Sequence, residues 1–136
     1  MAEKTFKLEI VTPRKVVFAG DVVSFSAPGV VGGFQVLYNH APLLAAIGIG
    51  EAKLRDTHGQ ELHYATSGGF VDVLSNHVTM LAESAENPDD IDKARAEAAK
   101  ERAMKRLAER QAGTDIERAR VALARALNRL RIVQRG

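Results

Sequence analysis

Cysteine is absent from this chain of 136 residues. That removes disulfides, thiolate nucleophiles and cysteine-based zinc sites, and it fits a reducing compartment. Tryptophan is also absent and aromatics make up only 5%, so any core is mainly aliphatic. No aromatic residue follows Phe70 and no proline follows Pro88. Long apolar runs are missing: the most weakly polar stretch, Ala41 to Gly50, holds two glycines and a proline. It is far shorter than the roughly 20 residues that span a bilayer. The start, Met1 to Lys7, lacks the apolar centre of a secretory signal. A soluble or peripheral chain is the expectation.

What is present is enough apolar material for a core, at 46%, and an uneven distribution of charge. Residues 1–87 carry six Lys/Arg against nine Asp/Glu, a net of −3, whereas residues 88–136 carry thirteen against eight, a net of +5. No acid follows Glu117, yet Arg118, Arg120, Arg125, Arg129, Arg131 and Arg135 lie beyond it. Such an end either seeks a negative partner or complements the dipole at a helix C-terminus.

The first eighty-odd residues read as short strands. Phe6, Leu8 and Ile10 alternate with Lys7 and Glu9, the period of a half-buried strand. Val16 to Ala19 follows, stopped by Gly20-Asp21, and then Val23, Phe25 and Ala27 point one way. Further strands are expected near Phe34 to Leu37, Leu44 to Ile49, Ala52 to Arg55, Leu62 to Thr66, Phe70 to Leu74 and Val78 to Ala82. Thr57 to Gln60 and Ser75-Asn76 supply turns. Strands at this spacing imply a β-sandwich or barrel-like module.

After Glu86 the pattern becomes helical. Asn87-Pro88-Asp89-Asp90 offers a cap, a first-turn proline and acids for the positive end of the dipole, predicting a helix to about Arg110. Gln111 to Thr114 breaks it, and Asp115 can cap a second helix to Val133. The expected apolar stripes are Ile91, Ala94, Ala98, Met104 and Leu107, then Ile116, Ala119, Leu123, Ala126, Leu127, Leu130 and Val133. The fold class is therefore α+β: a β-sandwich over residues 1–86, then an antiparallel two-helix hairpin over 87–136. Its seam is rich in alanine, whose methyl contributes only about 0.8 kcal/mol when buried, so the hairpin is marginal and able to move.

Catalytic signals are weak. His40, His58, His63 and His77 show no helical metal-pair spacing; His58 and His77 fall in expected turns, and His63 in a strand. The glycines from Gly29 to Gly33 lack the Lys-Ser/Thr of a phosphate loop, so neither a catalytic residue nor a resident metal is expected. A nucleic-acid module would want aromatics among its cations, and a carbohydrate-binding or enzymatic sandwich would want tryptophan or paired acids. The arginines are more informative. Arg95 and Arg102 share a face of the first helix, while Arg125 and Arg129 form a like-charge pair on the second. Antiparallel packing brings all four together near Asp92. Two arrangements fit: interhelical pairing with Glu97, Glu101 and solvent, or a polyphosphate pocket in which Asp92 and Glu86 accept from a base or ribose.

Several segments together carry a resemblance: Val11-Thr12-Pro13, Ala27-Pro28-Gly29, Asn39-His40-Ala41-Pro42-Leu43, Ser67-Gly68-Gly69-Phe70-Val71, Val78 to Glu83 and Arg125 to Leu130. In order and spacing the chain resembles the epsilon subunits of bacterial rotary F-type ATP synthases over essentially its full length. The resemblance implies a non-catalytic central-stalk subunit of a proton-translocating synthase, peripheral on the cytoplasmic face of the bacterial membrane without inserting into it. The implied partners are the gamma subunit, the loops of the membrane c-ring and, when the hairpin extends, the alpha and beta subunits, but no nucleic acid. The extended hairpin inhibits ATP hydrolysis in that family. Some members hold ATP as a regulatory ligand in the compact form, through a motif of Ile or Leu, Asp, two variable residues, Arg and Ala. Ile91, Asp92, Arg95 and Ala96 match it, and Glu86, Arg102, Arg125 and Arg129 fall on the positions that complete that site. One departure is Gln35-Val36-Leu37-Tyr38, where the family often has Gly-Val/Ile-Leu-Pro.

Overall fold

Strict alternation in Phe6-Lys7-Leu8-Glu9-Ile10 gives the first strand one dry face, with Phe6, Leu8 and Ile10 almost wholly buried. This strand, β1 (Phe6–Val11), runs antiparallel to β2 (Val16–Ala27) and parallel to β6 (His77–Ala82). The other strands are β3 (Phe34–Val36), β4 (Leu43–Asp56), β5 (Glu61–Leu74) and the two-residue β7 (Ala85–Glu86). These are the seven strands among the residues that the computed structural model describes, 4–135. Residues 1–3 and Gly136, the outer ends of the two expected segments, lie outside them. Strand order β1-β6-β5-β4-β2, with β2 returning to pair with β1, closes the sheet on itself. Phe25, Leu8, Ile10, Leu54, Met80 and Val71 fill the interior.

Three expectations change here. Gly20, Gly50 and Gly68-Gly69 do not end strands; β2, β4 and β5 run through them. At Gly69 (φ +142°) a Cβ would lie 1.9 Å from the Leu81 carbonyl oxygen, and at Gly50 one would lie 2.5 Å from Pro28. These glycines admit close neighbours in the middle of strands. The second change is a register shift between Val22 and Ser24, which puts Val22 in the core beside Phe25 and Ala27, where Val23 was expected. The third is His77, which opens β6 with Nε2 3.0 Å from Glu9 Oε1 and does not lie in a turn.

The hairpin starts later than its first signal. Asn87 does cap, accepting from Asp90 N, but it caps a single 3₁₀ turn over Pro88–Asp90. The helix α1 (Lys93–Glu109) starts after Asp92, whose Oδ1 accepts from Arg95 N at 3.0 Å. Asp115 caps α2 (Ile116–Val133) as expected, accepting from Arg118 N at 3.0 Å. Two alanines from each helix are buried, Ala96 and Ala103 on α1, Ala119 and Ala126 on α2, each pair two turns apart on one face. The seam is alanine-rich as expected, but on α1 it is a different stripe: Ala94, Ala98 and Met104 are exposed.

Helix α2 lies between α1 and the sandwich, touching β4, β5 and the 3₁₀ turn. Ile132 is fully buried on it, while Leu127, expected in the stripe, is 43% exposed. Asn128 is buried and donates from Nδ2 to the Gly50 carbonyl at 2.8 Å. Arg129 Nε meets Glu86 Oε1 at 2.8 Å, and Arg135 Nε meets Glu51 Oε2 at 3.0 Å. The hairpin is therefore closed on itself and docked.

Candidate functional site

The site is built where strand gives way to helix. On one edge of β5, β6 pairs with Gly69–Leu74 and β7 with Ala65-Thr66, so the chain steps at Glu83-Ser84. Ser84 Oγ lies 2.7 Å from Ser67 Oγ, and Glu83 N donates to the Gly68 carbonyl, which fixes the step. The 3₁₀ turn then lifts the chain, and Asp92 launches α1 across the opening. Between these segments lies a cleft of about 670 Å³, within the usual range of small-molecule sites.

Of the seven expected ligand-binding residues, five line this cleft: Glu86, Asp92, Arg95, Arg102 and Arg129. Arg125 lines an adjoining small cavity that shares Ser84, Glu86 and Arg129, and its guanidinium lies 3.8 Å from Glu83. Ile91 is half-buried at the end of the 3₁₀ turn, its N–H on the Pro88 carbonyl, and is not among the lining residues.

Among the described residues, the interhelical pairing of the arginines with Glu97 and Glu101 is not formed. Glu97 faces Lys100 at 3.8 Å and not an arginine. Glu86 is held by Arg129, and one oxygen of Asp92 caps α1, so these carboxylates keep only their remaining lone pairs for a base or ribose. Arg95 and Arg102 have no carboxylate within 4.0 Å among the described residues. Unpaired guanidiniums over a cleft are free to take an anion bidentately.

Sequence reasoning missed part of the lining. Thr12, Arg14 and Lys15 of the β1–β2 turn stand on the same cleft, with Glu83, Ser84 and Asp90. Arg14-Lys15 is the one adjacent pair of cations in the first 87 residues. Its position beside the hairpin follows from the parallel β1–β6 pairing, which sets Val11 opposite Leu81.

Burial shifts one titratable group close to Asp90. The Tyr64 phenol is pushed above its ordinary range, chiefly by burial and secondarily by the Asp90 carboxylate. On the exposed rim of β5, the hydrogen bond from Arg55, with Lys53 adding to it, holds the Glu61 carboxyl below its usual value.

Together these features define a closed β-sandwich carrying a docked helical hairpin over a cation-lined cleft. The family model described as the β-sandwich domain of the ATP synthase delta/epsilon chain matches residues 5–88. The long α-helix domain of the same chain matches residues 89–134. A protein named ATP synthase epsilon chain from Syntrophomonas wolfei is 44% identical over 131 residues, covering 96% of each chain. One of the same name from Nitratidesulfovibrio vulgaris is 48% identical over 130 residues, again covering 96% of each. Among solved structures, a chain of the Euglena gracilis mitochondrial ATP synthase (OSCP, F1 and c-ring) superposes with a TM-score of 0.79 at 19% identity, covering 91% of this chain and 78% of that one. The chain belongs to the ATP synthase delta/epsilon chain family. No helix among the described residues is long and apolar enough to cross a membrane.

Proposed function

We propose that this chain is a non-catalytic epsilon subunit in the central stalk of a rotary, proton-translocating ATP synthase on the cytoplasmic face of a bacterial membrane, where it couples the rotor to the catalytic head. Its sandwich binds the gamma subunit and the polar loops of the c-ring. In favour of that, the outward face of the sheet leaves Leu44, Phe70 and Leu81 more than half exposed, with Phe70 opposite both Ala46 and Leu81 in register. Contiguous exposed apolar area of this kind marks an interaction surface. The loop between β2 and β3 carries Val31, 99% exposed.

The hairpin is the regulatory part. Released, it presents the arginines from Arg118 to Arg135 to acidic surfaces of the alpha and beta subunits and inhibits ATP hydrolysis. Docked, it is inactive as an inhibitor, and ATP in the cleft stabilises that state. A ligand that binds only the docked form at 100 times its dissociation constant adds about 2.7 kcal/mol, enough to decide a marginal equilibrium. The observation that carries this reading is the pair of unpaired guanidiniums, Arg95 and Arg102, over a nucleotide-sized cleft with Arg129 beside them.

Calorimetric titration of the full chain with ATP, with ADP as control, tests the site. Saturable one-to-one ATP binding that is lost or severely weakened in Arg102→Ala supports it. No ATP binding at millimolar concentration, or wild-type affinity in Arg102→Ala, overturns it. Copurification with gamma tests the placement in the stalk, and a chain that does not copurify contradicts it.

A further inference from the structure

The cleft has two walls from different parts of the chain. Arg95 and Arg102 stand on α1 and Arg129 on α2, whereas Thr12, Arg14, Lys15 and Val17 come from the sandwich. Like Arg95 and Arg102, both Arg14 and Lys15 have no carboxylate within 4.0 Å among the described residues. Their placement is set by the backbone. Thr12 N donates to the Lys15 carbonyl at 2.9 Å, and Thr12 Oγ1 accepts from the N–H groups of Arg14 and Lys15 at 3.4 and 3.3 Å. With Pro13 fixing one φ, the turn is held by main-chain and Thr12 hydroxyl contacts that leave both cationic side chains unengaged.

The cleft's own carboxylates are Glu83, Glu86, Asp90 and Asp92. Glu83 faces Arg125, Glu86 is held by Arg129 and Asp92 caps α1. The two pairs of cations that meet no carboxylate are therefore left to repel each other or to share a bound anion. The helix-borne cations, Arg95 and Arg102 on α1 with Arg129 on α2, would by themselves reward closure of the hairpin only. A ligand shifts an equilibrium solely by its differential affinity for the two states. Contacts from the sandwich to a ligand that the helices also hold exist only when the hairpin is docked, so they, with Glu86 on β7, make binding sense docking.

We propose that the β1–β2 turn is the sandwich's half of the anion site: Arg14 and Lys15 hold the phosphates of a nucleoside triphosphate opposite Arg95 and Arg102, and so couple ligand binding to docking of the hairpin. This rests on the reading of the cleft as a nucleotide site. It assigns a binding role to a turn that is distant in sequence from the Ile91–Ala96 motif. Truncating the two side chains leaves the turn's hydrogen bonds intact, since those use the backbone and Thr12.

The test is calorimetry on the full chain with ATP and, separately, inorganic tripolyphosphate. Wild type is compared with the double variant Arg14→Ala/Lys15→Ala, with the conservative Arg14→Lys/Lys15→Arg, and with Lys7→Ala/Arg55→Ala, which removes equal charge elsewhere. One lost charge-assisted contact is worth about tenfold in affinity. The expected result is ATP binding about tenfold to a hundredfold weaker in the alanine pair, rescue by the conservative pair, and near wild-type affinity in the charge control. Hydrogen exchange with ATP at saturation should slow on α2 in wild type and slow much less in the alanine pair.

Wild-type affinity in the alanine pair, with ATP binding intact in the parent, overturns the role of the turn and leaves the nucleotide reading standing. An equal loss in the charge control also overturns it, because net charge would then explain the effect. Tripolyphosphate binding without ATP binding, lost in the alanine pair, sinks the nucleotide reading and keeps the turn as a polyphosphate ligand. A parent chain that binds neither overturns both.

Discussion

The two parts of this chain are stabilised by different means. Inside the sandwich the wholly buried side chains are large: Phe25, Leu8, Ile10, Leu54 and Met80. Along the hairpin seam they are Ala96, Ala103, Ala119 and Ala126, with Ile132 the one large apolar side chain buried on either helix. A buried Leu or Phe side chain contributes about 1.5–3 kcal/mol and an alanine methyl about 0.8, so equal numbers of buried residues hold the two parts very unequally. The sandwich is an anchor. The hairpin is fastened by Ile132 and a few polar contacts that water or another surface can replace, which suits an element that has to let go.

Core truncation is the strongest way to break that contrast. Phe25→Ala should cost about 3–5 kcal/mol, read as a large drop in the thermal midpoint of the whole chain. A smaller and local loss is expected from Ile132→Ala. It should remove about 2–4 kcal/mol from docking, opening α1 and α2 to proteolysis while the sandwich midpoint moves little. If Ile132→Ala instead lowers the sandwich midpoint as far as Phe25→Ala does, the two parts unfold together and the contrast fails. The smallest effect is set by pH. Tyr64 has a raised pKa, so the folded state binds its proton more tightly than the unfolded state. The stability it adds is fully present below the ordinary tyrosine pKa and is lost as pH rises through the folded value. In Tyr38→Phe the remaining tyrosine absorbance should therefore titrate at higher pH than in the denatured chain, and an equal or lower midpoint would contradict the burial of Tyr64.

The same contrast explains what could be read from the sequence. The alternation of Phe6, Leu8 and Ile10, the Ser75-Asn76 turn and the Asp115 cap are local signals, and each lies where it was expected. The glycines were misleading because their reason is tertiary: only the Leu81 carbonyl above Gly69 and Pro28 above Gly50 reveal that the strand continues. On α1 the alanines at 94, 96, 98, 99, 103 and 108 point in several directions, so periodicity could not choose the buried stripe. Of the five expected site residues that line the cleft, Arg95, Arg102 and Arg129 do so because helix spacing sets where they face. Glu86 on β7 and Asp92 before α1 stand at the junction beside them. The opposite wall, Arg14 and Lys15, required the parallel pairing of strands about seventy residues apart, which no local pattern encodes.

The measurement that tests the central claim most directly is hydrogen exchange across the whole chain, with and without ATP. A stable anchor carrying a releasable hairpin predicts fast exchange in α1 and α2 without ATP, marked slowing with it, and strong protection of β1, β4, β5 and β6 in both conditions. Helical amides as protected as those of the sandwich in the absence of ATP, and unchanged by its addition, would contradict it.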